Sequence, residues 1–152
     1  MEGFSQPRSA KMAKVTTLAP IFWPLMEGPS VETPYCCVCG ARWPLNRHHV
    51  VKRSAGERYV NGVRLPKPTL MLCGSGNASG CHGKAHQGRL HFRYVKQPWH
   101  EGWKPLRPQT FGYYDGEPYR GGHWEYLEAD EPCKYQEALE MDGWEPVRTE
   151  TE

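Results

Sequence analysis

Residues 70–88 read LMLCGSGNASGCHGKAHQG, and this stretch decides whether the chain folds on apolar residues alone or around metal. Its first part, PTLMLC from Pro68, is a short apolar run suited to a buried strand that ends at Cys73. The glycine-rich CGSGNASGC that follows bends tightly. CHGKAHQG then reads as a short helix closed by Gly88, because glycine accepts the left-handed conformation past a helix's last turn. Cys73 and Cys81 are separated by seven small, flexible residues, so both sulfurs can return to one ion. His82 and His86 are four apart and leave one face of the helix a turn apart, a common pair at divalent-metal sites. The plainer alternative is two solvated histidines on a surface helix.

Upstream, Cys36-Cys37-Val38-Cys39-Gly40 holds a C-x-x-C knuckle with glycine directly after it. Two thiolates at that spacing reach one tetrahedral Zn²⁺ while backbone amides face the sulfurs. Cys37 is the extra residue: it points away from the metal, or it takes the place of Cys36. Disulfides are the rival reading, opposed by the tight knuckle and by an expected cytoplasmic location. Cys133 is most simply a small buried hydrophobe. Between the cysteine pairs lies NRHHVVKR, residues 46–53, where His48 and His49 sit side by side at a step from turn into strand. Alternation sends neighbours to opposite faces. Either one is buried and one solvated, or the two do different jobs at one reaction centre. Closing the cysteine site brings the strand with His48 and His49 against the helix with His82 and His86.

The chain has 152 residues, 38% of them hydrophobic, and a mean hydropathy of −0.74. So polar a domain has a modest core and often relies on a metal or crosslinks. A structural Zn²⁺, worth on the order of 10 kcal/mol of folding free energy, would make good the deficit. No apolar run approaches the roughly 18 residues of a membrane span. LAPIFWPLM is the best candidate and is broken by Pro20 and Pro24. The N-terminus lacks the apolar block and cleavage site of a secretory signal, so the expected location is cytoplasmic. Net charge is only +2, but residues 42–107 carry 13 Lys and Arg against two acids, and residues 108–152 carry three against 12. A basic middle suits a polyanion-binding surface, since each neutralised phosphate releases a counterion. Alternatively, the basic and acidic segments face each other within one fold.

Three regions follow. Residues 1–34 form a Pro-containing N-terminal arm, expected to be partly disordered, and residues 35–90 hold the chemistry. Residues 91–152 form a mixed β/α extension, acidic from about 108. In the second region ERYVNGVRL reads as a small hairpin turning on Asn61-Gly62. In the third, RLHFRYV alternates as a strand, and DEPCKYQEALEMDG reads as a final helix capped by Asp130, with Pro132 in its first turn and Gly143 past its end. GWKP and GWEP, at 102–105 and 143–146, read as turns leading into edge strands.

Taken together, CCVCG…RHHVVKRSAG…LMLCGSGNASGCHGKAH resembles the HNH endonucleases, specifically the zinc-stapled form common in bacteriophage genomes. The resemblance runs from about Cys36 to Gly88, roughly a third of the chain. It implies an α+β fold, a small ββα-metal finger (the His-Me finger) stapled by a four-cysteine zinc site. It also implies a metal-dependent DNA endonuclease of phage or prophage origin acting in the bacterial host cytoplasm. On this resemblance His48, His82 and His86 bind the catalytic divalent cation, Mg²⁺ or another such as Mn²⁺ or Ni²⁺. His49 is the general base, and Cys36, Cys39, Cys73 and Cys81 hold the structural zinc. Lys52 and Arg53 are placed to hold the phosphodiester of double-stranded DNA. Both tasks of the histidines need neutral imidazole, so activity is expected to fall below about pH 6.5. By analogy, a phage packaging terminase is the implied protein partner.

The family's asparagine lies five residues before the cysteine that opens the second pair, and here that position is Pro68. Proline has no side-chain amide to bridge the loop and orient the base; Asn61 and Asn77 are the candidate replacements. Two further functions therefore compete with the nuclease. One is a non-catalytic, zinc-stabilised nucleic-acid-binding module; four histidines argue against it, since mere binding needs no second metal site. The other is a zinc-stabilised protein-interaction domain using the acidic tail and six tryptophans, without DNA affinity.

Overall fold

A computed structural model describes residues 16–98, 112–114 and 117–149. Among these the fold is mixed α+β, with three small sheets and short helices. Strand β1 (Leu45–His49) pairs antiparallel with β4 (Thr69–Cys73), so that Leu45 faces Cys73 and His48 faces Leu70. Between them, β2 (Tyr59–Val60) and β3 (Val63–Arg64) form the expected hairpin. Asn61 and Gly62 both take positive φ, 53° and 81°, as a type I′ turn requires. Leu70 and Leu72 of β4 are fully buried; truncating either to alanine would cost about 2–5 kcal/mol. Helix α1 (Gly80–His86) follows and packs on β4. It begins after Ser79, and Gly88 beyond it has a φ of +79°, the closing conformation expected from its sequence.

The second layer is a four-stranded antiparallel sheet. Its long strand β7 (Glu117–Glu128) pairs with β5 (Leu90–Pro98) along one edge. On the other edge it pairs with β6 (Gly112–Tyr114) and with the two-residue β8 (Glu145–Pro146). Alternation in β5 is as anticipated: Leu90, Phe92 and Tyr94 are buried and the residues between them are half-buried. GWEP leads into the edge strand β8, whereas GWKP lies outside the described residues.

Leu18, Leu25 and Met26, from the stretch assigned to the N-terminal arm, are buried in the core. A 3₁₀ helix over Pro20–Glu27 follows Leu18 and presents the other two. Pro20 opens it, where an N–H would have no partner, and Pro24 lies inside it, where it denies the segment a regular α-helical ladder. Arg58 lies 3.7 Å from the ring centre of Trp23, the Trp124 indole donates to the Pro29 carbonyl (2.8 Å), and Lys96 pairs with Glu27. The first 15 residues of the arm lie outside the described residues.

The final helix is shorter than its sequence suggested. Helix α2 spans only Tyr135–Leu139, and Lys134, not Asp130, precedes it. The backbone upstream is committed elsewhere. Ala129 N–H donates to the Arg89 carbonyl (2.7 Å) and Cys133 N–H to the Gly88 carbonyl (2.9 Å), holding residues 129–133 against the end of α1. The Glu137 carboxylate instead caps the Lys134 N–H at 2.9 Å. Among the described residues no helix is long and apolar enough to cross a membrane.

Candidate functional site

Two clusters of metal-ligating side chains form where β1, β4 and α1 meet. In the first, one ligand atom from each of Cys36, Cys39, Cys73 and Cys81 lies within 4.8 Å of every other. Glycine makes this possible. A Cβ on Gly74 would lie 2.0 Å from the Ser79 carbonyl oxygen, and one on Gly80 would lie 2.5 Å from the Cys73 carbonyl oxygen. Both residues also have positive φ, 139° and 67°. Only a side-chain-free backbone closes the loop this tightly, and its closure returns Cys81 to Cys73. Cys39 and Cys73 sulfurs are 3.5 Å apart, and Cys81 N–H faces the Cys73 sulfur at 3.4 Å. Tetrahedral zinc with bonds of about 2.3 Å sets sulfurs roughly 3.8 Å apart, so the spacing suits such an ion.

The electrostatics agree with this donor set. The Cys81 thiol, hydrogen-bonded to Cys36, holds the Cys36 thiol well below the ordinary cysteine range, while the same bond and burial push Cys81 up. One thiolate is thus already favoured, and an ion would bring the others to ionise. Cys37 is excluded from the cluster. Burial and the neighbouring Cys36 thiolate push its thiol up to about 12. Its backbone carries its structural role: N–H to the Met71 carbonyl (2.9 Å), and carbonyl to the Arg148 N–H (2.8 Å). Among the described residues no cysteine is in a disulfide.

The second cluster joins His48 of β1 to His82 and His86 of α1, again with ligand atoms mutually within 4.8 Å. His82 Nδ1 lies 2.8 Å from the Gly76 carbonyl, to which it donates, leaving Nε2 to accept. That outer hydrogen bond is the usual device for orienting a metal-binding imidazole. The His82 and His86 Nε2 atoms are 3.1 Å apart, close to the ~3 Å between neighbouring ligands at right angles on an octahedral ion about 2.1 Å from each. His48 meets both rings edge-on, at 5.2 and 5.6 Å between centroids. Burial, reinforced by His82 and His86, lowers His48 to about 3, so it stays neutral and able to donate a lone pair. Burial and then His82 lower His86 too. The side chains present therefore fit a divalent cation.

His49 stands beside this triad and outside it. Burial, then the charges of Arg53, Lys67 and Arg47, hold its imidazole below the ordinary histidine range. It lines a cleft of about 620 Å³ together with His48, His86 and Lys52. The C-terminal extension also lines that cleft, through Lys134 and Tyr135. Arg53 follows Lys52 directly, in a 3₁₀ turn over Arg53–Ala55.

Sequence reasoning missed several residues at this site. Phe22 and Tyr135 stack at 5.6 Å beside the cleft. His91, within 3.4 Å of the Cys133 sulfur, lines it as well. Lys67 reaches the loop after His49, its amine donating to backbone carbonyls there. No local motif marks these residues, because long-range packing places them. No protein-family model matches the chain, and neither a curated protein nor a solved structure matches it.

Proposed function

We propose that the chain is a metal-dependent DNA endonuclease of the HNH type, its β1, β4 and α1 forming a zinc-stapled ββα-metal finger. One observation carries the reading. Three converging imidazoles stand beside a fourth, His49, that shares the cleft lined by His48 and His86 without joining the cluster. A pure binding module has no use for that division of labour.

In the proposed reaction His48, His82 and His86 hold a divalent cation, Mg²⁺ or a substitute such as Mn²⁺ or Ni²⁺. Bound there, it would supply Lewis-acid neutralisation of the phosphate and of the departing 3′ oxygen. Neutral His49 accepts a proton from water as the water oxygen bonds to phosphorus, in line with the P–O3′ bond that breaks. The positive side chains around His49 favour its neutral form before the reaction, and Lys52 and Arg53 hold phosphate oxygens. Zinc at Cys36, Cys39, Cys73 and Cys81 fixes the start of α1 and thereby the separation of His82 from His48. The substrate is double-stranded DNA, the origin phage or prophage, and the setting the host cytoplasm. A packaging terminase is the partner suggested by analogy.

Supercoiled plasmid incubated with the protein and Mg²⁺, Mn²⁺ or Ni²⁺ tests this, beside EDTA and His49→Ala controls. Cation-dependent nicking or linearisation is expected, reduced about 10²–10⁴-fold in the variant. A second reading, a zinc-stabilised nucleic-acid-binding module, draws support from Pro68 at the asparagine position. It prevails if the plasmid is retarded on a gel but never cut. Absence of both cutting and retardation would leave the protein-interaction domain.

A further inference from the structure

We infer that Lys67 is a positioning residue for the proposed nuclease site, which sets the loop carrying Lys52 and Arg53 behind His49. The inference rests on the nuclease reading for its catalytic consequence and on geometry for the loop itself. The Lys67 side chain is only 8% exposed, unusual for a lysine whose ion-pair partner, Glu57, stands off at 3.6 Å. Its ammonium donates to two consecutive carbonyls, those of Lys52 (2.9 Å) and Arg53 (3.0 Å). The third N–H remains for Glu57, whose own backbone is fixed to Thr16 and Leu18 by two hydrogen bonds of 2.8 Å.

The flanking sequence makes this arm stiff. Lys67 lies between Pro66 and Pro68, which lock their own φ and restrict Lys67 to extended backbone. The same dipeptide holds the other end of the loop: Val50 N–H donates to the Pro68 carbonyl at 3.1 Å. The Lys52 carbonyl also accepts the Ala55 N–H (3.0 Å), so one ammonium steadies the turn that projects the Arg53 side chain. The HNH family's asparagine is expected at residue 68. Here a donor one residue earlier reaches across the loop, and a backbone carbonyl at 68 ties its start.

Lys67 is thereby separated from Lys52 and Arg53 in function. Two of its donors are held by the Lys52 and Arg53 carbonyls and its charge faces Glu57 at 3.6 Å, which keeps it from acting as a phosphate contact. Removing it should disturb placement of the reacting groups and leave the charge offered to DNA nearly unchanged. Lys67→Met keeps the aliphatic stem and removes the donors; Lys67→Arg keeps donors. With zinc-loaded full-length protein and saturating Mn²⁺, Lys67→Met is expected to lower kcat for plasmid nicking about 10–100-fold. KM, zinc content and the salt dependence of DNA binding should hold, and Lys67→Arg should recover much of the rate. Amide hydrogen exchange, which needs no cleavage, should quicken at Val50 and Ala55 in Lys67→Met alone.

An unchanged kcat would overturn the inference. So would a raised KM with a shallower salt slope, which would make Lys67 a phosphate contact. Equal loss of rate and thermal stability in both variants would reduce Lys67 to a structural support. If wild-type protein fails to nick, the nuclease reading fails by itself. Exchange at Val50 and Ala55 then still decides whether Lys67 sets the loop.

Discussion

The cysteine and histidine clusters draw on the same pieces of chain, since the β4–α1 unit supplies Cys73 and Cys81 to one and His82 and His86 to the other. They differ in how they finish. The cysteines are four, with a backbone amide facing one of the sulfurs, and four thiolates complete a tetrahedral shell. The histidines are three, and two of them line an open cleft. A shell with three protein ligands keeps positions free for water and substrate. The comparison teaches that Cys81 and His82, adjacent in sequence, fall to two centres of different completeness, so an ion in the first would set the geometry of the second.

Loss of a cysteine tests the structural half of this contrast and should have the largest effect. With zinc at the four sulfurs, as proposed, Cys81→Ser is expected to lose the ion and, with it, on the order of 10 kcal/mol of folding free energy, enough to unfold a chain of this size. Circular dichroism melting with elemental analysis would show it, and a stable, zinc-loaded variant would break the assignment. His48→Ala addresses the other half. It should keep zinc and fold yet lose cation-dependent nicking by about 10²-fold or more, because transition-state charge is no longer neutralised. Loss of zinc in that variant would show the two centres to be one unit.

The acid limb of activity sharpens the distinction between His49 and an ordinary exposed histidine. Its folded-state affinity for protons is lowered, so the neutral base persists further into acid, and a cation at the triad acts in the same direction. Single-turnover nicking at saturating Mn²⁺ should stay level as pH falls through about 6.5 and decline only below it. A decline centred at or above that value would remove His49 as the proton acceptor. The smallest effect belongs to Lys52, which lines the cleft, and to Arg53 next to it: Lys52→Ala and Arg53→Ala should each weaken DNA binding and reduce the slope of log affinity against log salt by about 1. Gel retardation across a salt series measures it, and unchanged slopes would place the DNA elsewhere.

Much of the architecture around the two clusters was legible locally. Asn61-Gly62 announces its turn, the apolar run to Cys73 its strand, and Gly88 the end of α1, because each depends on conformational preferences of a few neighbouring residues. The membership of both clusters could be proposed from spacing and resemblance. What sequence hid was set by distant pairing. Residues 18–29 look like an unpatterned arm until Arg58 meets Trp23 and Trp124 meets Pro29, and DEPCKYQEALEMDG looks helical from Asp130 until the Arg89 carbonyl takes the N–H of Ala129 just before it and the Gly88 carbonyl that of Cys133 within it. Lys67 looks like one more surface cation. Its burial follows from two carbonyls 14 and 15 residues away.

The knuckle at Cys36–Gly40 has one edge completed from far along the chain. Arg148 donates its backbone N–H to the Cys37 carbonyl, its guanidinium passes over Gly40, and Val147 beside it is buried with its N–H on the Trp124 carbonyl. During synthesis, then, all four thiols leave the ribosome well before that edge can close. A nascent chain presents all four sulfurs early, but the knuckle acquires its final backbone partner only once residues 145–148 have joined β7. Of the parts of this site, the strand that seals it is the last the chain can supply.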